Sequence, residues 1–205
     1  MKKFPIFMTL LLLIAISVKA QDNDARYATE LIKPGTPAPE FIISGIDNTA
    51  SKPLKELRGK YVVLDFWATW CPDCRKEIPV MKAMYDEYAS KGIEFIGISF
   101  DKDSAVLNKY IKDNGIQWIQ HCEYKPWKET KISADYNIKW IPSIYLLDKE
   151  GKVMLATVMT EKLKKKLEEI TSCNNCRNMA DRCDGNRHGN CADNSKTPES
   201  HCCRK

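Results

Sequence analysis

Residues 64–74 read Leu64-Asp65-Phe66-Trp67-Ala68-Thr69-Trp70-Cys71-Pro72-Asp73-Cys74. Residues 61–66, which lead into this stretch, are β-branched, aromatic and aliphatic, with one acid, Asp65, inside the run. That pattern predicts an internal strand of a parallel or mixed sheet, covered on both faces. Pro72 cannot continue a strand ladder but fits the first turn of a helix. Beyond it, Ile78, Met81, Tyr85 and Tyr88 recur at helical spacing and predict one buried helix face. The stretch is therefore a buried strand that stops at two cysteines, with a helix opening at the first of them.

Two cysteines three positions apart at a helix start can bridge. Cys71 would lie beyond the helix end, beside unsatisfied N–H groups that favour a thiolate. The helix dipole supplies about 0.3–1 kcal/mol, and one pKa unit is about 1.4 kcal/mol. Local N–H and S–H donors must therefore supply any larger shift. Thiolate is the attacking species in disulfide exchange, so Cys71 is the candidate nucleophile. Cys74, one turn inside the helix, is the candidate resolving thiol. Zinc sites and structural bridges use the same spacing. Zinc needs a second ligand pair, and the other Cys-x-x-Cys, Cys173 with Cys176, falls in a compositionally different tail. Asp65 lies six positions before Cys71. A buried carboxyl resists ionisation, and one beneath the cysteine pair could move protons for Cys74. The alternative is a strand acid hydrogen-bonded to its neighbours.

The segment Asp-Phe-Trp-Ala-x-Trp-Cys-x-x-Cys at 65–74 resembles the active-site segment of the thioredoxin superfamily. Pro79 matches that family's helix-kinking proline. Trp140-Ile141-Pro142-Ser143 resembles its cis-proline segment. Pro-Ala-Pro-Glu-Phe at 37–41, Leu57-Arg58-Gly59-Lys60 and Ile98-Ser99-Phe100-Asp101 resemble the exported TlpA/ResA-like branch. The resemblance covers roughly residues 35–170. It implies an α/β fold: three layers, α/β/α, around a central mixed sheet, with an N-terminal strand extension. It implies an exported thiol–disulfide oxidoreductase acting on protein disulfides without a cofactor or metal, fed by a membrane thiol-relay donor. It makes Pro142 cis, with the Ile141 backbone open to a substrate segment, and places Trp70 and Pro72 at the substrate contact. Trp67, Trp118, Trp127 and Trp140 read as core or surface filler. The sequence departs from the family pattern in two places. The active-site dipeptide is Pro72-Asp73 rather than Gly-Pro, which bears on redox potential. Asp65 is the acid of thioredoxin itself where many exported relatives carry Asn, yet no lysine appears in residues 95–98.

Composition agrees with export. The net charge is +5, with acids and bases interleaved, so nucleic-acid binding is not indicated. Residues 1–20 read as a secretory signal: Lys2 and Lys3, then an apolar run, then Val18-Lys19-Ala20. The apolar run is short for a membrane span, so membrane attachment requires that this segment stay uncleaved. Nine cysteines fit an oxidising compartment, periplasmic by the resemblance.

The remaining expectations follow chain order. Residues 21–34 form a flexible lead or short helix, and 35–171 the thioredoxin-like domain. Residues 41–43 with the turn signal Asp47-Asn48 predict a strand or hairpin added to the sheet edge. A helix over 101–114 carries Val106, Tyr110 and Ile111 as its apolar positions. A short strand covers 117–119, and a helix covers 126–136. The last helix spans 161–170 with Leu163, Leu167 and Ile170 inward. Its Lys164-Lys165-Lys166 run reads as a solvated face. Residues 172–205 form a Cys-rich tail that cannot bury a core, and its six cysteines allow 15 pairings. Cys122 reads as a buried apolar residue or as a bridge to that tail. Other readings are a disulfide-forming oxidase, a thiol peroxidase and a non-enzymatic Cys-rich binding module. Peroxiredoxins carry Thr-x-x-Cys, whereas Thr69 stands two positions before Cys71, which disfavours the peroxidase.

Overall fold

The computed structural model describes residues 22–46 and 51–184, with side chains to residue 172. The expected signal and the Asp47-Asn48 turn lie outside the described residues, as do Cys191, Cys202 and Cys203.

The apolar run forms strand β3 (Tyr61–Trp67), the centre of a five-stranded sheet. With β4 (Ile93–Ser99), β5 (Ile119–Cys122), β6 (Ser143–Leu147) and β7 (Val153–Thr157), the order is β5-β4-β3-β6-β7. β3 pairs parallel with β4 and antiparallel with β6, so the sheet is mixed. Six of the seven β3 residues are buried, as a strand covered on both faces requires.

Side chains alternate across β3. Asp65 and Trp67 face one layer, where Trp67 packs on Tyr110 of helix α3 (Ser104–Asn114) at 5.7 Å. Helix α2 (Pro72–Tyr88) lies on the same layer and sends Tyr85 against Phe95 of β4 at 5.6 Å. Phe66 faces the other layer and meets Tyr136 and Tyr145 at 5.2 and 5.8 Å. The result is the expected α/β/α arrangement.

Several expectations need correction. The N-terminal hairpin is not an added edge strand. β1 (Ile42–Ile43) and β2 (Lys52–Pro53) form a separate two-stranded sheet, tied to β5 by one bridge between Gly45 and His121. The lead at 21–34 takes the short-helix alternative rather than the flexible one, and packs on the domain. Helix α1 (Asp24–Tyr27) is pinned to the end of β7, Leu31 is buried, and the Ile32 N–H donates to the Tyr145 hydroxyl. In α3, Tyr110 and Ile111 pack partly buried on the core as expected, but Leu107 is the fully buried residue and Val106 is exposed. The helix expected over 126–136 is a 3₁₀ turn (Trp127–Glu129) followed by helix α4 (Lys131–Asp135), because Thr130 starts α4 as its N-cap. Finally, α5 (Thr160–Asp184) runs past the expected boundary at 171, and its backbone carries Cys173, Cys176 and Cys183.

Candidate active site

Cys71 is the N-cap of α2, where extended backbone turns into the helix. Cys71 and Cys74 are disulfide-bonded, with Cα atoms 5.3 Å apart. The Cys74 N–H points at Cys71 Sγ at 3.2 Å. It is one of the helix N-terminal N–H groups that have no intrahelical acceptor. Both cysteines are buried, Cys71 at 6% and Cys74 at 2% exposure, so Cys71 is the more accessible by a narrow margin. Cys71 Sγ also lies 3.7 Å from the Ile141 carbonyl oxygen. The next peptide bond, Ile141–Pro142, is cis. The tip of the β3–α2 turn and the loop before β6 thus meet at the sulfurs.

Two surface depressions flank the pair. One is a groove of about 360 Å³ lined by Tyr27, Asp73, Glu77, Trp140 and Pro142, among others. The second is an aromatic shelf of Trp70, Phe100 and Trp127 with Lys102 and Pro126. Trp70 is half exposed, and its indole N–H reaches the Phe100 carbonyl at 3.4 Å. Trp70 therefore lies on the shelf, away from the Pro142 groove. Pro72 is exposed at the first position of α2.

Asp65 is buried in β3, and its pKa is pushed up to about 7. Loss of hydration is the main cause, and the Glu77 carboxylate on α2 adds repulsion.

Sequence reasoning missed several residues. Glu77 stands one helical turn after Cys74, and that spacing was the available signal. Its side chain accepts from the Thr160 hydroxyl at 2.6 Å and faces the groove. Trp140, read as filler, stacks on Tyr27 and lines the groove; Trp127 stacks on Phe100 at 5.6 Å and lines the shelf. Asp101 is buried at the end of β4. Its carboxylate accepts from the Thr69 N–H at 2.9 Å, the Thr69 hydroxyl and the Ser99 hydroxyl. It thereby ties the turn that carries Cys71 to the sheet. Cys122 is buried beside it, and its thiol donates to the Asp101 carbonyl at 3.1 Å. Burial pushes the Cys122 thiol pKa up. Among the described residues no cluster of His, Cys, Asp and Glu could hold a metal ion.

Comparison with known proteins agrees with this geometry. The AhpC/TSA family model matches residues 34–156. The sequence is 33% identical over 139 residues to the thiol-disulfide oxidoreductase ResA of Bacillus cereus, covering 68% of this chain and 77% of that protein. The ResA of Bacillus subtilis is 28% identical over 136 residues, covering 65% of this chain and 73% of that one. Among solved structures, the thioredoxin domain of a Bacteroides vulgatus thiol-disulfide oxidoreductase superposes with a TM-score of 0.62 at 28% identity. That match covers 68% of this chain and 99% of the other. A thiol:disulfide interchange protein from a Bacteroides species gives 0.61 at 28% identity, over 69% and 91% of the two chains.

Proposed function

We propose, from the premise that this chain belongs to the AhpC/TSA family and is a thioredoxin-fold thiol–disulfide oxidoreductase, that Cys71 and Cys74 are its working pair and act on disulfides of exported proteins as a reductant. The Cys71 thiolate attacks one sulfur of the partner's disulfide, and the other partner sulfur leaves as thiolate. A mixed disulfide now joins Cys71 to the partner. Cys74, deprotonated, attacks Cys71 Sγ and releases the second partner sulfur. Two electrons have passed to the partner, and the enzyme holds the Cys71–Cys74 disulfide. A thiol donor must return it to the dithiol; a membrane thiol-relay protein fits that role outside the cytoplasm.

The observation that carries this reading is the convergence at Cys71 Sγ. The Cys74 helix N–H lies at 3.2 Å, and the Ile141 carbonyl oxygen lies at 3.7 Å. The N–H favours thiolate, and the Ile141 backbone in the loop before β6 is placed to meet a partner segment at the sulfur. Asp65, with a pKa near neutrality, is suited to take the Cys74 proton during resolution. Trp70 and Pro72 form the exposed rim a partner would meet first. The signal-like pattern at 1–20 and the cysteine content support export. The peroxidase reading finds no support at Thr69, whose hydroxyl is committed to Asp101.

Trapping tests the proposal. With Cys74→Ala, Cys71 should hold partner proteins as mixed disulfides that dithiothreitol releases, and Cys71→Ala should hold none. Equal capture by both variants would refute the assignment. A reduction potential near about −270 mV supports the reducing direction, and one near about −120 mV reverses it.

A further inference from the structure

The groove beside Pro142 is not built by the thioredoxin-like core alone. Its outer wall comes from the N-terminal lead. The Tyr27 ring stacks on Trp140 at 4.1 Å between centroids and 22° between planes. Tyr27 and Asn23 line the groove opposite Asp73, Lys76 and Glu77 of α2. A four-residue helix cannot hold itself in place, and the contacts show what holds it. The Asp24 carboxylate accepts from the Thr157 hydroxyl at 2.8 Å, the Val158 N–H at 2.8 Å and Lys162 Nζ at 2.7 Å. Lys162 also reaches Asp22 at 2.8 Å. Three groups at the β7–α5 junction thus converge on one carboxylate, which sets Tyr27 against Trp140.

The wall's chemistry indicates what it takes. Within the groove Lys76 is paired with Asp73 at 2.9 Å. Glu77 has one oxygen on the Thr160 hydroxyl, and its other oxygen has no hydrogen-bond partner among the described residues. Tyr27 and Trp140 line the same groove as this carboxylate. Arg26, the neighbour of Tyr27 on the same helix, lies over the Tyr27 ring at 5.0 Å, so the ring already engages a cation of this chain and the groove offers an incoming cation its carboxylate and the Trp140 side. Carboxylate and aromatic groups together favour a cationic side chain.

We propose that Tyr27, latched by Asp24, is a specificity-determining residue, and that the groove it completes selects partner segments carrying Arg or Lys next to the reacting cysteine. This rests on the reading of Cys71 and Cys74 as the working pair. Asp24 acts as a positioning residue, since it reaches the groove only through Tyr27.

The test uses the full chain and three probes: two cystine-bridged hexapeptides, identical except for Arg or Glu beside the cysteine, and the neutral hydroxyethyl disulfide. The wild type should reduce the Arg peptide with a kcat/KM about tenfold above the Glu peptide, mostly through KM, with the preference shrinking in high salt. Tyr27→Ala should cut the ratio of Arg-peptide to hydroxyethyl-disulfide kcat/KM by about fivefold or more, and Tyr27→Phe should restore it. Asp24→Ala should act in the same direction as Tyr27→Ala, with partial rescue by Asp24→Asn. Equal rates for the two peptides in the wild type would overturn the proposal. So would a Tyr27→Ala variant in which all three probes slow in parallel. If the wild type reduces none of the probes, the reading of the cysteine pair falls as well, an outcome distinct from activity without selectivity.

Discussion

At the scale of single residues, Asp65 carries the most easily measured consequence. Its folded-state pKa of about 7 stands above the ordinary value of 3.8. The folded protein therefore binds this proton more tightly than the unfolded chain does. Stability from this group is fully present below about pH 4, falls as pH rises towards 7, and stays low above that. Roughly three pKa units correspond to about 4 kcal/mol. Asp65→Asn removes the ionisable group and keeps its shape. The variant should be more stable than wild type at pH 8.5 by a few kcal/mol, with the gap closing by about pH 4; urea melts at the two pH values check it. The same substitution should slow exchange through the Cys71–Cys74 pair and remove an inflection near neutrality from its rate profile. Identical wild-type and variant profiles from pH 6 to 9 would leave Asp65 a structural acid only.

At the scale of elements, the site depends on how strands β4 and β5 hold the β3–α2 turn. Gly97 of β4 sits where a Cβ would meet Gln120 Oε1 at 2.1 Å. Gln120 is buried, accepts from the Trp67 indole at 2.9 Å, and donates to the Trp118 carbonyl at 3.3 Å. Its amide cannot swing away without leaving an indole N–H unpaired. Gly97→Ala should therefore cost about 1–3 kcal/mol, read as a lower urea midpoint at unchanged slope. Asp101→Ala strips acceptors from Thr69 and Ser99 and should cost about 2–4 kcal/mol. It should also slow exchange at Cys71, because the turn that presents the sulfur is no longer tied down. Neither device was legible in the sequence. The strand, the turn and α2 were legible, because periodicity, Pro72 and the cysteine spacing are local signals. A glycine that makes room for an amide on the next strand, or a carboxylate that returns to a turn 32 positions earlier, has no local signature. Val106 shows the complementary error. It was read with Tyr110 and Ile111 as an apolar position of α3, but the register of the helix exposes it and buries Leu107.

At the scale of the whole molecule, the core of the fold follows from one strand and its neighbours, while the ends do not. The lead, being polar, was expected to be flexible or a short helix, and a short helix forms there. It is held by Asp24, Leu31 and Ile32, through partners more than a hundred positions away. The last helix poses the converse question, since composition changes at Cys173 but α5 continues to Asp184. Burial decides where its contribution to the domain lies. Leu163, Leu167 and Ile170 are buried against the core, and each is worth about 1.5–3 kcal/mol. A chain that stops after residue 172 keeps all three. It should fold, keep its disulfide exchange, and lose little thermal stability. A chain that stops after residue 159 loses all three, a sum of about 5–9 kcal/mol. That approaches the whole stability of a domain of this size, so this shorter chain should not fold. Circular dichroism and disulfide-exchange assays on the two truncations separate the alternatives. If the longer truncation folds but no longer exchanges disulfides, the cysteine-rich tail takes part in the chemistry, and the binding-module reading gains over the oxidoreductase pair acting alone.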